Sequence, residues 1–315
     1  MKFTLGNAAG TVSWPAGTTN LRLEEMERLA RSVVTHITIG PMTVLPREGN
    51  SGETYYYHPR SRWSLNSRGL PSLGMKTFVE VIRTCAAIVR GYGKQLRVTV
   101  AGFEPDEYAF LAETAFKAGA DAAELNLGCP NVWGEDGTQK PIPSYHPPLV
   151  REILRRTAIQ LGPGRRVDVK ISPVPNAVLN LLATEFDNAP QHIVENVVAV
   201  NTLPNRDLPR EDGRHALNHS GGNHLGGLAG APLKEEALRV AKQLRAMLTP
   251  SIGVIGVGGI FTGRDALELL KAGVCGLQVG TAFLEAGPRV FSHIVEELSD
   301  LPEAEPYFDT CKDGY

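Results

Sequence analysis

The sequence predicts an α/β fold, a (β/α)8 TIM barrel with long loops at the carboxyl ends of its strands. The chain of 315 residues suits one such barrel. Short β-rich runs alternate with amphipathic helical stretches about eight times, and 33 glycines with 22 prolines indicate many tight loops. We expect a single domain over residues 1–315. A doubly wound open sheet is the alternative, but the number of repeats and the chain length favour the barrel.

Seven segments are predicted as buried strands because each is short, rich in Val, Ile or Leu, and bounded by Gly, Pro or polar residues. They cover residues 33–40, 97–103, 122–128, 166–172, 196–202, 252–258 and 276–282. The segment Trp63–Asn66 is a weaker candidate that would complete a set of eight. Strands that alternate with helices in this way run parallel, and eight such units close into a barrel.

Amphipathic helices are predicted between the strands. Their ranges are 21–32, 77–90, 105–118, 148–160, 177–186, 233–248, 264–272 and 288–298. Phe78, Val81 and Ile82 show the spacing of one apolar helix face, and Pro105 fits the first turn of its helix.

Three segments are longer than ordinary connections: 41–62, 130–147 and 203–225. Connections beyond about 12–15 residues are usually functional loops or disorder. All three follow the carboxyl ends of predicted strands, where barrels of this class build their active sites.

The composition excludes several classes of protein. Lys+Arg 32 against Asp+Glu 34 gives a net charge of -2, so we expect no nucleic acid partner. The four cysteines at 85, 129, 275 and 311 form no CxxC pair, so neither a disulfide framework nor a structural zinc site is expected. No signal peptide and no run of about 18 apolar residues is present, so we predict a cytoplasmic protein without a membrane span.

Two glycine turns end the last two predicted strands. Gly258-Gly259 lies between a strand and a helix, and Gly280-Thr281 follows the next strand. Glycines let backbone N–H groups approach an anion closely, and a helix N-terminus adds a favourable partial charge. The loops after strands 7 and 8 are the usual phosphate site of this barrel. Either turn alone could be merely tight, but the two together favour phosphate binding.

The segment 124–131, Glu-Leu-Asn-Leu-Gly-Cys-Pro-Asn, places a cysteine just beyond a buried strand. A thiol acts as a general base only when its thiolate is accessible, and a loop over the barrel mouth would give that exposure. A single cysteine is more often an inert apolar residue, a description that fits Cys85 in a helix face and Cys275 in the barrel wall. Cys129 does not fit it, because its neighbours are polar and lie at the predicted active end.

Asn66, Asn126, Asn131 and Asn201 all fall at or just beyond strand ends. An amide side chain offers both a donor and an acceptor, which complements the edge of a cyclic imide or amide. One such residue alone would be read as a turn residue. Four at one barrel mouth indicate recognition of a planar polar ring.

Lys170 is predicted to point from the fifth strand into the top of the barrel. A buried lysine is costly unless it is paired with an anion or an electron-rich acceptor. A solvent-exposed lysine at the strand end is the alternative, which its apolar neighbours disfavour. His215, His219 and His224 share a glycine-rich loop in which no helix orders them, so we predict no metal site.

Together these motifs resemble the dihydroorotate dehydrogenases, specifically their soluble class 1 enzymes. The matching segments are 65–74, 126–131 (NLGCPN), 169–170, 200–202, 226–230, 256–260 (GVGGI) and 278–281. They span nearly the whole chain in the family's order. The resemblance implies an FMN-binding (β/α)8 barrel, commonly a homodimer, that oxidises dihydroorotate to orotate in pyrimidine biosynthesis. In this family a base removes a proton from C5 while hydride passes from C6 to flavin N5.

The resemblance also implies roles for individual residues. Cys129 would be the base, a position at which the membrane-bound class 2 enzymes use Ser. Lys170 would face the flavin N1/O2 region and stabilise negative charge there. The implied substrate-binding residues are Asn66, Gly69, Leu70, Asn126, Asn131, Asn201 and Thr202. The implied FMN-binding residues are Ala9, Gly10, Asn126, Lys170, Gly227, Gly258, Gly259, Gly280 and Thr281.

Three positions depart from the family pattern. The family usually has a lysine at the end of the first strand, near flavin and substrate, where this sequence has His36. An Ala-Ser-Gly segment that contacts the flavin in the family is Ala8-Ala9-Gly10 here, so the hydroxyl is lost. Arg68 stands where the family usually has Met or another apolar residue. We hypothesise that Arg68, fixed beside Asn66 and Gly69, supplies the cation lost with the lysine. The alternative is that it points to solvent.

Other functions remain open at this level. The departures at 36 and 68 and the long segment 41–62 are also compatible with another cyclic amide as substrate, such as dihydrouracil. A barrel kept as a binding or scaffold protein would need the catalytic set to be lost, and Cys129, Lys170 and the four asparagines argue against it. For the electron acceptor, fumarate is the simplest expectation. NAD-linked class 1 enzymes use a separate iron–sulfur partner subunit, and the sequence lacks the amphipathic helix pair that docks class 2 enzymes on membranes.

Overall fold

The structure of the protein, a computed structural model, describes residues 1–16, 23–133, 138–220 and 224–308. Its strands are, in chain order, β1 (Thr4–Asn7), β2 (His36–Met42), β3 (Gly52–Glu53), β4 (Tyr55–His58), β5 (Trp63–Asn66), β6 (Gln95–Val100), β7 (Ala122–Asn126), β8 (Val167–Ile171), β9 (Val194–Ala199), β10 (Leu203–Arg206), β11 (Asn218–His219), β12 (Gly226–Gly230), β13 (Gly253–Val257) and β14 (Gly276–Val279). Its helices are α1 (Leu23–Ala30), α2 (Met75–Gly91), α3 (Pro105–Ala118), α4 (Pro147–Leu161), α5 (Asn176–Asp187), α6 (Lys234–Met247), α7 (Gly263–Lys271), α8 (Thr281–Ala286) and α9 (Arg289–Ser299).

Eight parallel strands form a closed barrel in the order β1-β14-β13-β9-β8-β7-β6-β2. The strand pairs are in parallel register, for example Leu125 opposite Val169 and Val254 opposite Val197. These side chains are fully buried, as are the helix residues that pack on the outside of the strands, such as Phe78 and Leu111. The predicted barrel is therefore confirmed, because the strand–helix alternation leaves parallel pairing as the way to bury both faces of the sheet.

The prediction that Trp63–Asn66 is the eighth strand of the barrel is wrong. Trp63–Asn66 is a strand, β5, but it pairs antiparallel with β4 and β12 outside the barrel. The missing barrel strand is β1 at the start of the chain, which pairs with β14 and touches β2 through Gly6 and His36. With only four residues, two of them Gly and Asn, β1 lacks the apolar run that identified the others.

Two of the three long segments build a second sheet over the barrel mouth. The loops after β2 and β9 contribute the strands of this cap sheet, whose order is β10-β12-β5-β4. Trp63 and Leu65 pack with Leu217 and Leu228 into a small apolar cluster of their own. The third long segment, 130–147, follows β7, and its residues 134–137 lie outside the described part of the chain.

The predicted helices agree with the structure to within one or two residues at the described ends, and α3 has the predicted bounds. The start of the first predicted helix, residues 21 and 22, lies outside the described residues, as does Cys311. One helix was not predicted. The last predicted strand ran to residue 282, whereas β14 ends at Val279 and α8 begins at Thr281.

Charged side chains occupy the amino-terminal end of the barrel interior. Arg97 donates through Nη1 to Oδ2 of Asp168, and Asn196 Nδ2 donates to Oδ1 of the same carboxylate at 2.6 Å. Arg97 is 5% exposed and Asp168 1%, so the pair is shielded from water. His36 begins β2 at this end and is fully buried. Burial and the nearby Arg97 hold the pKa of His36 well below its usual range, so its ring is neutral.

The placement of His36 corrects one expectation. A residue at the first position of β2 lies at the opposite end of the barrel from the strand carboxyl ends, so His36 does not replace a lysine near the active end. At the carboxyl end of β2 the chain carries Gly40, Pro41 and Met42.

None of the described helices is both long and apolar enough to span a bilayer.

Replacing Arg97 with Met is expected to destabilise the fold by about 3–5 kcal/mol, because it leaves the Asp168 carboxylate buried without its counter-charge. Urea denaturation would measure the free energy of unfolding. Arg31→Met, which removes one partner of the exposed Arg31–Glu27 pair, should change it little. Equal effects of the two substitutions would contradict the burial argument.

Candidate active site

A deep cleft lies between the carboxyl ends of the barrel strands and the cap sheet. About 1130 Å³ of space lies within it, part of which is open to solvent at the mouth. Nearly all residues predicted for the site line this cleft. They are Ala9, Gly10, Asn66, Gly69, Leu70, Asn126, Cys129, Asn131, Lys170, Asn201, Thr202, Gly258, Gly259, Gly280 and Thr281.

Gly227 is the exception among the predicted residues. It lies in β12 behind Thr202, and a Cβ at this position would overlap Oγ1 of that threonine. Its absent side chain therefore makes room for Thr202, and the cap sheet contributes Ala229 and Gly230 to the cleft instead.

The four asparagines meet as two hydrogen-bonded pairs. Asn131 Nδ2 donates to Oδ1 of Asn66 at 3.1 Å, and Asn201 Nδ2 donates to Oδ1 of Asn126 at 3.2 Å. Asn66 belongs to the cap sheet and the other three to barrel strand ends and the loops after them. Because each pair fixes the amide orientation of its members, the cleft presents an ordered set of donors and acceptors suited to a planar polar ring.

The turn after Asn66 is fixed by contacts with Arg47 and Asn50. Gly69 and Leu70 have φ angles of 74° and 57°, in the left-handed region. A Cβ at Gly69 would lie 2.6 Å from Oδ1 of Asn50, so only glycine fits there. Arg47 donates from Nε and Nη2 to the Gly69 carbonyl, each at 3.3 Å. The turn is thereby fixed at the edge of the cleft.

Cys129 lies in the cleft wall at the start of the loop after β7. Its side chain is only partly exposed and packs against Leu70, Ala101 and Val132, so it is less exposed than the sequence suggested. Burial raises the pKa of the thiol to about 11, although a hydrogen bond from the Asn131 backbone and the charges of Arg47 and Lys170 act in the opposite direction. At neutral pH Cys129 is therefore a thiol, and cations lie close enough to favour its ionised form.

Lys170 reaches the cleft from β8, as the sequence predicted. It is 3% exposed, and its Nζ makes no hydrogen bond or ion pair to the described residues. Burial lowers its pKa, while Glu124 and Cys129 act to raise it. An ammonium group without a direct partner in such a place is available to an electron-rich group of a ligand.

The two glycine turns contribute backbone to the cleft wall. A Cβ at Gly258 would lie 2.9 Å from the Cβ of Ala237 and one at Gly259 would lie 2.5 Å from that of Lys234, so these glycines allow the loop to pack on α6. Apart from its chain neighbours, the described residue that a Cβ at Gly280 would approach within 4 Å is Ala8, at 3.6 Å. Glycine at 280 is therefore not demanded by packing and leaves space open beside the first turn of α8.

Arg68 lines the cleft and does not extend into bulk solvent. Its guanidinium carbon lies 5.1 Å from the centre of the Tyr55 ring, and Nη1 donates to the Gly10 carbonyl at 3.4 Å. Tyr55 donates in turn to Oε1 of Glu285 at 2.7 Å. These contacts place a second cation at the margin of the cleft, between the cap sheet and the loop after β1.

Sequence reasoning missed several polar residues of the cleft. Thr99 in β6, Gln278 in β14, and Tyr55 and Ser64 in the cap sheet all line it. Strand alternation places Thr99 and Gln278 on the inward face of the barrel, and that period was the available signal for them. Ser64 lies two residues before Asn66 in the predicted strand 63–66, so the same period applied to it. Tyr55 lies in the segment 41–62, which was predicted as a loop, and carried no such signal.

The loop histidines do not reach the cleft. The rings of His215 and His224 stack at 3.7 Å, and His215 Nδ1 is bonded to Asp207. Within the described ranges, no group of three or more His, Cys, Asp or Glu side chains is arranged to hold a metal ion. Of the other cysteines, Cys85 is buried as expected, but Cys275 is exposed rather than enclosed in the barrel wall.

The fold and the cleft define a (β/α)8-barrel enzyme whose site combines a thiol, a buried lysine and ordered amides. Comparison with known proteins identifies its family. The family model for dihydroorotate dehydrogenase matches residues 4–301. The chain belongs to the dihydroorotate dehydrogenase family, oxidoreductases of pyrimidine biosynthesis that act on a CH–CH bond.

Curated relatives include both kinds of class 1 enzyme. The chain is 32% identical to the catalytic subunit of dihydroorotate dehydrogenase B (NAD(+)) of Pyrococcus abyssi, over 93% of this chain and 90% of that protein. It is 30% identical to the putative dihydroorotate dehydrogenase A (fumarate) of Streptococcus uberis, over 91% and 87%. In fold it resembles the crystal structure of the Eimeria tenella enzyme in complex with ferulenol, with a TM-score of 0.75 at 20% identity over 94% of this chain and 80% of that one.

Alkylation of Cys129 by iodoacetamide should be slow at pH 7 and rise about tenfold per pH unit up to pH 10, because only the thiolate reacts and its pKa is about 11. Mass spectrometry of the peptide gives the rate. The same thiol in urea-unfolded protein is the control, with a midpoint near its ordinary value of about 8.5. A midpoint near 8.5 in the folded protein would show that burial does not control this thiol.

Proposed function

We propose that this protein oxidises dihydroorotate to orotate with bound FMN, that Cys129 is the general base, and that Lys170 stabilises the negative charge that develops in the site. The observation that carries the proposal is that Cys129, Lys170 and both asparagine pairs line the same cleft. Anaerobic reduction of the bound flavin by dihydroorotate, followed by stopped-flow absorbance, tests it. Protein that carries no flavin, or flavin that dihydroorotate does not reduce, would refute it.

The cleft fits FMN on several observations. Among the described residues, the buried oxygens Thr202 Oγ1 and Gln278 Oε1 and the Lys170 Nζ have no hydrogen-bond partner. A polar ring would satisfy all three. Gly280 leaves open space where α8 begins. The first amides of a helix have no acceptor within it and suit a phosphate group. The residues proposed for the phosphate are Gly258, Gly259, Gly280 and Thr281.

When bound, FMN would supply the acceptor for the hydride that leaves C6 of dihydroorotate. The protein's own part is to take the proton from C5. That proton passes to Sγ of Cys129, which must first be a thiolate. Arg47 and Lys170 favour the thiolate, whereas burial opposes it. The two asparagine pairs would hold the ring so that C5 faces Cys129, which turns binding energy into orientation.

The charges of the cleft favour an anionic substrate. Lys170 and Arg68 are both cations that line it. Dihydroorotate carries a carboxylate, while dihydrouracil is neutral. Desolvated cations bind the former more strongly because charge-assisted hydrogen bonds are about twice as strong as neutral ones. We therefore place dihydroorotate ahead of dihydrouracil, and His36, which lies at the far end of the barrel, no longer supports the latter.

Fumarate is the proposed electron acceptor. The relatives named above include a fumarate enzyme and the catalytic subunit of an NAD(+) enzyme, and fumarate requires no second chain. Reoxidation of the reduced flavin by fumarate but not by NAD(+) would support this choice. The homodimer and the cytoplasmic location stay predictions.

Cys129→Ala should slow flavin reduction by dihydroorotate by about 10²–10⁴-fold, the usual contribution of a general base. In the unmodified protein the rate should rise with pH between 6 and 9, because the thiolate fraction increases toward a pKa of about 11. The alanine variant should lose this slope. Cys275→Ala is the matched control, since that cysteine is exposed and does not line the cleft. Unchanged kinetics in Cys129→Ala would remove the thiol from the mechanism.

Arg68→Ala should raise KM for dihydroorotate by about 10- to 100-fold, because a charge-assisted contact is worth about 1.5–3 kcal/mol. Turnover of dihydrouracil, if any, should not change. Arg60→Ala, in an exposed pair with Glu211, is the matched control, and Arg68→Lys should restore part of the affinity. Unchanged KM and turnover in Arg68→Ala would show that this cation does not contact the substrate.

A further inference from the structure

A carboxylate is buried directly below the cleft. Glu124 lies in β7, two residues before Asn126 and therefore on the same inward face of the strand. It is 0% exposed. Its Oε2 accepts from Gln278 Nε2 at 2.8 Å and its Oε1 from Thr99 Oγ1 at 3.4 Å. Both partners are neutral, and no cation of the described chain forms an ion pair with it.

Lys170, on the neighbouring strand β8, is a cation without an ion pair to any described residue. The register of β7 and β8 sets Asn126 opposite Lys170 and Glu124 opposite Asp168. Lys170 therefore lies on the neighbouring strand, two residues nearer the cleft than Glu124. The two groups are too far apart for a direct salt bridge but interact through an interior from which water is excluded, where charges act more strongly than at the surface.

The other charges around Lys170 compensate one another. Asp168, on the same strand, is paired with Arg97 of β6. His36 of β2 is neutral because burial depresses its pKa. Cys129, in the loop after β7, is a neutral thiol with a pKa of about 11. This leaves Glu124 as the counter-charge of Lys170.

We propose that Glu124 is a positioning residue for Lys170: its buried negative charge keeps the Lys170 ammonium protonated in the wall of the cleft, and so provides the positive charge that the flavin site uses. The effect of the carboxylate on the lysine opposes that of burial, since Glu124 raises the pKa of Lys170 and desolvation lowers it. The inference rests on the proposed function only in so far as a flavin reports the charge.

The hydrogen bonds of Glu124 make Glu124→Gln, which replaces the carboxylate with an amide of the same shape, a suitable test of its charge. Gln278 Oε1 has no hydrogen-bond partner in the described part of the chain, so in Glu124→Gln the Gln278 amide can rotate by 180° and accept from the new side-chain N–H. The variant removes one charge and keeps a bonded pair. Lys170→Met and the double variant show whether the effect passes through the lysine.

Sulfite affinity reports the charge next to the flavin, because sulfite adds reversibly to oxidised flavins and leaves negative charge on the ring. The ratio of dissociation constants, Glu124→Gln over unmodified protein, cancels the ionisation of sulfite itself. The ratio should be near or below one at pH 6, where Lys170 stays protonated in both. The ratio should then rise with pH, to about tenfold for each unit by which the substitution lowers the lysine pKa further, because the variant loses the ammonium charge at a lower pH than the unmodified protein.

The double variant shows whether Glu124 changes the sulfite affinity through Lys170. The ratio of sulfite dissociation constants of the double variant to Lys170→Met should be independent of pH. Glu185→Gln removes a different largely buried carboxylate, which pairs with Arg151, and should leave sulfite affinity unchanged. A Glu124→Gln ratio that does not change with pH, or one that changes equally without Lys170, would overturn the proposal.

Thermal unfolding provides a readout that needs no flavin. A lysine whose folded pKa is depressed destabilises the protein as pH falls below its unfolded value, because the unfolded chain then binds a proton that the folded chain does not. Glu124→Gln should lower the folded pKa of Lys170 further, so this destabilisation continues to lower pH. The Tm of the variant should therefore fall further below that of the unmodified protein at pH 7 than at pH 10. Lys170→Met should abolish that difference. Protein without flavin would refute the proposed cofactor, while a pH-independent loss of Tm would refute the role of Glu124.

Discussion

The antiparallel pairing of β5 with β12 is the interaction on which the site depends. These strands come from loops after the second and sixth strands of the barrel, and their register sets Asn66 opposite Gly227 and Leu65 opposite Leu228. Without this pairing the barrel would end in an open rim. With it, the cap sheet covers the mouth, brings Asn66 to Asn131, and turns the carboxyl ends of the strands into a cleft.

Enclosure controls the chemistry of the cleft. The same burial that excludes water raises the pKa of Cys129 and lowers that of Lys170, so both groups are pushed toward their neutral forms. Each favours the charged form of the other, and Glu124 and Arg47 reinforce these effects from outside the pair. The site is thus a balance between desolvation, which acts on every group, and a few charges placed by the strand register.

Much of the fold and site could be predicted from the sequence because the signals are local. Strand–helix alternation, with its apolar period, predicts seven of the eight barrel strands, and α3 keeps its predicted bounds. Cys129, Lys170 and the four asparagines share one property, a position at a strand carboxyl end, and parallel strands bring such positions to one rim. Their convergence follows from chain direction alone. Their hydrogen-bonded pairing does not, since it depends on which strands become neighbours.

What only the tertiary structure decided involves partners distant in the chain. Trp63–Asn66 has the pattern of a barrel strand, but its partners β4 and β12 place it in the cap sheet, while the barrel is closed by β1, whose four residues carry almost no pattern. His36 was assigned to the wrong end of the barrel because its strand begins three residues later than predicted. The charge state of Lys170 likewise depends on a carboxylate in the neighbouring strand. The sequence determines which residues can form strands and carry chemistry, because propensity and period are local. The closed sheet determines which of them meet and how far water is excluded, because pairing and burial are properties of the whole fold.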